Sequence, residues 1–254
     1  MSLRIAFDLD GVLADMEAQL VRQAEIVFGE SMTRILQDRT PSDRSPHEPT
    51  SPVGGDDDTE PTEPTEGAAP QLTPLVSLQM TARQERRLWR HVESIDGFWE
   101  SLQETEPGVV ARLATLAKDR RWEVIFLTKR PQSAGATAQI QTQRWLEAKG
   151  FRLPSVFVMQ GSRGRVAAAL ALNFVVDDRP ENCLDVVLDS KARAILVWRD
   201  DDQRLPATVK RPGIGVVKSV DECLNILGEI DPAARHRPGV VGRVKRFLRL
   251  SDDA

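Results

Sequence analysis

Short runs of apolar, β-branched residues alternate along this chain with longer segments that have the spacing of amphipathic helices. Runs of the first kind predict buried strands, and apolar positions three and four residues apart predict helices. Their alternation predicts an α/β doubly wound fold, in which helices cover both faces of a parallel sheet. We expect strands at 3–8, 122–127, 155–159, 173–177, 193–198 and 214–217, and helices at about 15–28, 107–119, 134–149, 163–171, 180–190 and 219–229.

One segment interrupts this alternation. Residues 40–75 hold eight of the sixteen prolines and few large apolar side chains, and residues 40–70 carry eight acidic residues against one basic residue. A segment of this composition buries too little apolar surface to offset the entropy lost on ordering. We therefore predict a disordered insertion within one fold. Its acidic residues also account for the chain's net charge of −4, because the remainder is slightly basic.

Length and composition are those of a globular protein, with 254 residues of which 41% are hydrophobic and 28% charged. The first residues lack the apolar core of a secretory signal, and no run approaches the roughly 20 apolar residues of a transmembrane segment. Cys183 and Cys223 lack the spacing of a metal site. We expect reduced thiols in a cytoplasmic protein, with a single disulfide as the alternative.

Three of the predicted strands end in carboxylates or a hydroxyl. Asp8 and Asp10 follow the first strand, Thr128 ends the second, and Asp177 and Asp178 end the fourth. Because parallel strands end at a common edge, where ligands bind in such sheets, we expect these side chains to lie together. Crowded carboxylates repel one another in a buried site, and a hard divalent cation such as Mg²⁺ relieves that repulsion. We therefore expect these strand ends to bind Mg²⁺.

With these residues in place, the sequence resembles the haloacid dehalogenase-like phosphohydrolases. The strings FDLDGVLAD, LTKRP and DDRPENC resemble motifs I, II and IV of that superfamily, and their wording is most similar to the 5'(3')-deoxyribonucleotidase branch. The resemblance covers residues 3–15 and about 96–200. It implies a Rossmann-like core made of residues 1–15 and 106–230. It also implies a small helical cap at 16–105, between motifs I and II, with 40–75 as its disordered part.

The resemblance further implies a Mg²⁺-dependent phosphomonoester hydrolase. Asp8 would be the nucleophile that forms an aspartyl-phosphate, and Asp10 would act first as general acid and then as general base. The Asp8 carboxylate, the Asp10 main-chain carbonyl and Asp178 would hold Mg²⁺, with Asp177 nearby, and Thr128 would bind a phosphoryl oxygen. The aspartate at position 10 favours phosphate esters, because the dehalogenase branch lacks it.

The stretch 160–178 departs from the family pattern, which places a lysine before the helix that leads into the fourth strand. This stretch has no lysine, and Arg163 occupies the best-aligned position. A guanidinium keeps the positive charge and can bind phosphate bidentately, but it is larger and flatter than an ammonium. Arg163 is therefore a catalytic and substrate-binding candidate. The alternative is a catalytically degenerate protein that binds a phosphorylated ligand or partner.

Residues beside the motifs supply further candidates for substrate contact. Lys129 and Arg130 adjoin Thr128 and can reach a substrate or pair elsewhere. Phe98 and Trp99, between motifs I and II, can stack on a nucleobase, with packing in the cap core as the alternative. These candidates suit a small phosphorylated substrate, with nucleoside monophosphates as the leading class. Removal of phosphate from nucleic-acid ends is a further alternative.

Residues 231–254 form a basic C-terminal tail. Within 235–250, apolar residues recur at helical spacing and four basic residues occupy the remaining face. Such a helix can dock on the protein's own surface or contact an anionic surface such as a membrane. The tail carries no recognisable nucleic-acid-binding motif.

Overall fold

The computed structural model describes residues 2–29 and 80–230, and both the segment 40–75 and the tail 231–254 lie outside these residues. The strands are β1 (Arg4–Asp8), β2 (Glu123–Thr128), β3 (Ser155–Val158), β4 (Phe174–Asp177), β5 (Arg193–Val197) and β6 (Ile214–Val217). The α-helices are α1 (Met16–Phe28), α2 (Ala82–Glu93), α3 (Val109–Arg120), α4 (Ala138–Ala148), α5 (Arg163–Ala169), α6 (Pro180–Asp189) and α7 (Val220–Ile230). Short 3₁₀ turns lie at Phe98–Glu100, Asp202–Arg204 and Ala207–Lys210.

The described strands form one six-stranded sheet in the order β3-β2-β1-β4-β5-β6. Every neighbouring pair is parallel. The chain order reverses between β1 and β4, and open sheets of this kind bind ligands beyond the strand ends at such a switch point. The doubly wound parallel sheet predicted from the sequence is confirmed.

Alternate residues of each strand face opposite sides of the sheet and form two apolar clusters. On one side, Ile5 and Phe7 pack with buried residues of α1, α2, α3, α4 and α7. On the other side, Ala6 packs with buried residues of α5 and α6. Cys223 belongs to the first cluster and Cys183 to the second, and both are free and buried. The two thiols are therefore separated by the sheet, which excludes the disulfide alternative.

The hydrophobic periodicity did not predict α2. Thr81 and Gln84 form a capping box at its N-terminus, and its apolar side buries Leu88 and Val92. It packs against α1, which Asp15 caps. Both helices lie in the segment that the resemblance implies to be a cap, and they share an apolar cluster with the sheet. Among the residues described, no helix is both long enough and apolar enough to cross a bilayer.

Candidate active site

The predicted carboxylates meet at the carboxyl ends of β1 and β4. Asp8 is the last residue of β1, Asp177 is the last residue of β4, and Asp178 follows it directly. One carboxylate oxygen of each residue lies within 4.8 Å of those of the other two. The Asp177 residue is fully buried, and Asp8 is only 5% exposed. Two neighbouring strands thus bring three acidic groups into a cluster with little access to water.

The backbone after β1 leaves room for Asp178. Gly11 has a φ of 84°, in the left-handed region, and a Cβ added there would lie 2.0 Å from Asp178 Oδ2. The N–H groups of Leu13 and Ala14 both donate to Leu9 O at 2.8 Å and close a tight turn. Glycine therefore serves two purposes at this position, because it permits the turn and allows the carboxylate to approach the backbone.

Arg163, the first residue of α5, places a guanidinium within the carboxylate cluster. Its Nη2 donates to Asp8 Oδ1 at 2.5 Å, and its Nε lies 2.7 Å from Asp177 Oδ2 in an ion pair. The Nε–H is not directed at that oxygen, and neither Nε nor Nη1 has a hydrogen-bond partner among the described residues. Arg163 therefore keeps unused donors inside the site, at the position for which the sequence predicted a phosphate contact.

Residues that the sequence did not single out fix the start of α5. Ser162 Oγ accepts from Arg165 N at 3.0 Å and donates to Asp185 Oδ2 at 2.9 Å, while Gly164 N donates to Asp185 Oδ2 at 3.0 Å. A Cβ on Gly164 would lie 2.3 Å from the Asp185 carbonyl oxygen, so glycine allows α5 to approach α6 closely. These contacts orient Arg163. Asp185 lies too far along the chain from Ser162 to form a local motif with it.

Burial and mutual repulsion raise the pKa values of the clustered carboxyls. Burial raises the pKa of Asp8 well above its ordinary value, Arg163 opposes this effect, and Asp177 and Asp178 add to it. Burial, and then Asp177, raise the pKa of Asp178 to about 7. Burial disfavours the charge on Arg163, but Asp177 and Asp8 outweigh it and raise the pKa of the guanidinium. One arginine therefore does not compensate three ionised carboxylates, and a proton or a cation must do so.

The carboxylates of Asp177 and Asp178 differ in their hydrogen-bond partners. Asp177 Oδ1 accepts from Arg179 N and from Asn182 Nδ2, both at 2.9 Å. Asp178 Oδ1 is buried and has no hydrogen-bond partner among the described residues. A hard cation satisfies such an orphaned carboxylate oxygen. The residues present fit Mg²⁺, with Asp8 and Asp178 as its side-chain ligands and Asp177 held chiefly by protein donors.

Residues that follow β2 hold the carboxylate of Asp10. Arg130 Nη2 donates to Asp10 Oδ1 at 2.7 Å, and Arg130 Nε donates to Oδ2 at 3.0 Å. Thr128 Oγ1 donates to the same Oδ2 at 3.3 Å. The Arg130 side chain is fully buried, and its Nη1 donates to Thr142 Oγ1 at 2.9 Å. The structure thus directs Arg130 and the Thr128 hydroxyl toward Asp10. For Thr128 the sequence predicted a contact with a phosphoryl oxygen, and for Arg130 it left substrate contact and pairing elsewhere as alternatives.

Phe98 and Trp99 lie in the protein interior. Both side chains are fully buried and meet edge to face, with ring centroids 4.9 Å apart. The Trp99 indole N–H donates to Pro131 O at 3.1 Å. Neither ring has an exposed face for a nucleobase, and their position corresponds to the packing alternative. Lys129 is partly exposed and forms no hydrogen bond or ion pair within the described ranges.

Arg199, which follows β5, anchors the loop after β1 and was not a sequence candidate. Its guanidinium donates to the carbonyl oxygens of Gly11 and Val12. It also pairs with Glu106 Oε1 at 2.8 Å. Glu106 in turn accepts from the first two backbone N–H groups of α7, at 2.7 and 2.9 Å. One carboxylate therefore joins the arginine that holds the active-site loop to the start of α7.

Comparison with known proteins gives similar solved structures. No protein-family model and no curated protein matches the sequence. A haloacid dehalogenase-like family hydrolase from Xanthomonas campestris is 16% identical over 93% of this chain and 99% of its own, with a TM-score of 0.47. A hydrolase from Pseudomonas syringae is 19% identical over 91% and 99%, with a TM-score of 0.48. An L-2-haloacid dehalogenase from Xanthobacter autotrophicus, with chloropropionic acid covalently bound, is 11% identical over 89% and 98%, with a TM-score of 0.46.

The motifs of this chain follow β1, β2 and β4 of the sheet, in the order that the resemblance implied. The chain has a doubly wound, Rossmann-like α/β fold. Solved structures of such low identity and TM-score define neither a reaction nor a substrate for this chain. The chemistry has to be argued from the residues of the site.

Proposed function

We propose that this chain is a Mg²⁺-dependent phosphomonoesterase in which Asp8 is the nucleophile. The observation that carries the proposal is the cluster of three carboxylates around Arg163. Among the residues that the structure describes, no donor reaches the buried Asp178 Oδ1 and no acceptor reaches the buried Arg163 Nη1. A cation and a phosphoryl group bound together supply both missing partners.

In the proposed reaction, a carboxylate oxygen of Asp8 forms a bond to phosphorus as the bond between phosphorus and the ester oxygen breaks. Asp10 donates a proton to the leaving oxygen and later removes one from the water that hydrolyses the aspartyl-phosphate. Arg163 holds Asp8 Oδ1 and offers Nη1 to a phosphoryl oxygen. The chemistry that Mg²⁺ supplies when bound by Asp8 and Asp178 is charge compensation between an anionic nucleophile and an anionic phosphate.

Nucleoside monophosphates are the substrate class that we propose, on the resemblance of the motifs to the deoxyribonucleotidase branch. The Asp10 carbonyl as a third ligand of Mg²⁺, the division into core and cap, and a cytoplasmic location belong to the same proposal. The buried positions of Phe98 and Trp99 lend no support to base stacking on these rings. A nucleoside would therefore have to be recognised by other residues.

Binding of a phosphorylated ligand without hydrolysis is the second candidate function. It is favoured by Arg163, which stands where the family has a lysine and donates to Asp8 Oδ1 at 2.5 Å. A charge-assisted hydrogen bond of this length withdraws electron density from the oxygen that accepts it. That oxygen of Asp8 is consequently a weaker nucleophile.

Release of inorganic phosphate by the full chain tests the proposal, with p-nitrophenyl phosphate and nucleoside monophosphates as substrates. We expect turnover in Mg²⁺ and none in EDTA. Asp8→Asn should lower kcat by at least about 10³-fold, because it removes the nucleophile. Asp15→Asn is the matched control, since Asp15 accepts from Ala18 N at the start of α1 and asparagine caps helices equally well.

Two results would contradict the proposal. Equal activity of the wild type and Asp8→Asn would exclude Asp8 as nucleophile. Nucleotide binding that requires Mg²⁺ in calorimetry, without product after prolonged incubation, would favour the second candidate function.

A further inference from the structure

We infer that Arg130 is a positioning residue that acts through Asp10, and that Trp99 holds Arg130 in place. The inference rests on the proposed function, because it concerns the residue that exchanges protons in that reaction. It gives Arg130 a role that follows from the pairing alternative and not from substrate contact.

The contact between Arg130 and Asp10 fixes both the position and the plane of the carboxylate. Arg130 Nη2 donates to Oδ1 at 2.7 Å, and Nε lies 3.1 Å from Oδ1 and 3.0 Å from Oδ2. A planar guanidinium matches a planar carboxylate at two points, whereas an ammonium offers a single point charge. Asp10 lies beyond the end of β1, so the strand does not orient its side chain.

Arg130 is itself held from two further directions. Its Nη1 donates to Thr142 Oγ1 on α4 at 2.9 Å, and its guanidinium carbon lies 4.9 Å from the centre of the Trp99 ring. Trp99 is fixed in turn, because its indole N–H donates to Pro131 O and its backbone N–H donates to Gln141 Oε1, both at 3.1 Å. A series of contacts therefore runs from the interior through Trp99 and Arg130 to the carboxylate of Asp10.

Arg130 and Asp10 differ in the solvent exposure of their side chains. The Arg130 side chain has no exposed surface, whereas that of Asp10 is 14% exposed. A substrate can therefore reach the carboxylate without reaching the guanidinium. An apolar residue of similar volume stabilises an interior as well as or better than a buried ion pair. All three guanidinium nitrogens of the buried Arg130 donate hydrogen bonds, so the arginine can hold the Asp10 carboxylate in a fixed orientation. Such positioning matters for the rate, because a reacting group misplaced by about 1 Å costs about 10²-fold.

A double-mutant cycle on Asp10 and Arg130 tests the inference. Arg130→Met removes the charge and the donors but keeps most of the side-chain length. With glycerol 2-phosphate as substrate, we expect it to lower kcat by about 10- to 100-fold and to change KM by less than about threefold. Arg130→Met combined with Asp10→Asn should be no slower than Asp10→Asn alone, because the arginine acts through the carboxylate.

The leaving group gives a second readout that a general loss of structure would not reproduce. p-Nitrophenolate departs without a proton, so the first-turnover release of p-nitrophenol should change by less than about threefold in Arg130→Met. Arg144→Met is the matched control, since it removes an arginine on α4 that pairs with Glu100 at the surface. It should keep wild-type kinetics. Where Arg130→Met does not fold, Arg130→Lys takes its place and should have an intermediate kcat.

Three outcomes would count against the inference. A double variant that loses the full factor of Arg130→Met on top of that of Asp10→Asn would show that Arg130 acts independently of Asp10. If Arg130→Met raised KM and left kcat unchanged, Arg130 would contact the substrate and would not position Asp10. Either result overturns the inference alone, whereas a wild type without Asp8-dependent turnover overturns the proposed function and the inference with it.

Discussion

Replacing Asp178 by asparagine should stabilise the chain without Mg²⁺ and remove most of the stabilisation that Mg²⁺ provides. Burial and the neighbouring Asp177 raise the pKa of Asp178 from 3.8 to about 7. Because the folded-state pKa lies above the unfolded-state value, the carboxyl favours the folded state while it is protonated there. That contribution is lost as the pH rises from about 4 through about 7, and the unfavourable effect is complete above this range.

The size of the effect follows from the difference between the two pKa values. At about 1.4 kcal/mol per pH unit, the raised pKa of Asp178 costs about 4 kcal/mol of folding free energy at pH 8, where the carboxyl is ionised, and about 1.5 kcal/mol at pH 5, where it must take up a proton on folding. The asparagine amide brings buried N–H groups of its own, which offset roughly half of the gain at pH 8. The remaining free energy of about 2 kcal/mol corresponds to a rise in Tm of about 4–8 °C.

Thermal unfolding followed by circular dichroism, in EDTA and in millimolar Mg²⁺, measures both effects. In EDTA the Asp178→Asn variant should have the higher Tm at pH 8, and this advantage should disappear at pH 5, where the offset from the amide is at least as large as the gain. Mg²⁺ should raise the Tm of the wild type more than that of the variant. Asp15→Asn, which lies outside the cluster, should behave as wild type. A lower Tm of Asp178→Asn at pH 8, or an equal response of both chains to Mg²⁺, would refute the reasoning.

Three further predictions concern other parts of the chain. Gly11→Ala should abolish Mg²⁺-dependent phosphate release, because its Cβ would lie 2.0 Å from Asp178 Oδ2, and wild-type activity in this variant would contradict that packing. Burial raises the pKa of both the Cys183 and Cys223 thiols. Neither should react with a thiol reagent before the chain unfolds, and rapid labelling in the native state would argue otherwise. Deletion of residues 40–70 should leave the Tm within about 2 °C of its original value, since their composition buries little apolar surface, and a large decrease would show a structural role.

The strands were predictable because the sheet is parallel. Its central strands are buried on both sides, so each one is a short uninterrupted apolar run that a local pattern can reveal. α2 escaped the same reasoning because six of its twelve residues are charged. Only its buried face, with Leu88, Trp89 and Val92, marks it as helical, and the acidic, proline-rich segment before it obscures that spacing.

The positions of the site residues could be predicted, but the directions of several side chains could not. The strand-end rule placed Asp8 and Asp178 at one edge, because it depends only on where each strand stops. Arg130 instead pairs with Asp10, which lies 120 residues earlier in the chain. Contacts of this separation leave no local signal, and the same holds for Arg199 at the backbone of the loop that follows β1.

Glu106 accepts hydrogen bonds both from Arg199 and from the start of α7. A change at this position alone would remove the ion-pair partner of Arg199 and the acceptor of two backbone N–H groups of α7. Arg199 would then hold the loop that bears Asp10 without its own carboxylate partner. In related sequences, substitutions at positions 106 and 199 should therefore occur together. Covariation between these two sites would trace the ancestry of the loop that follows β1 even where the rest of the sequence has diverged.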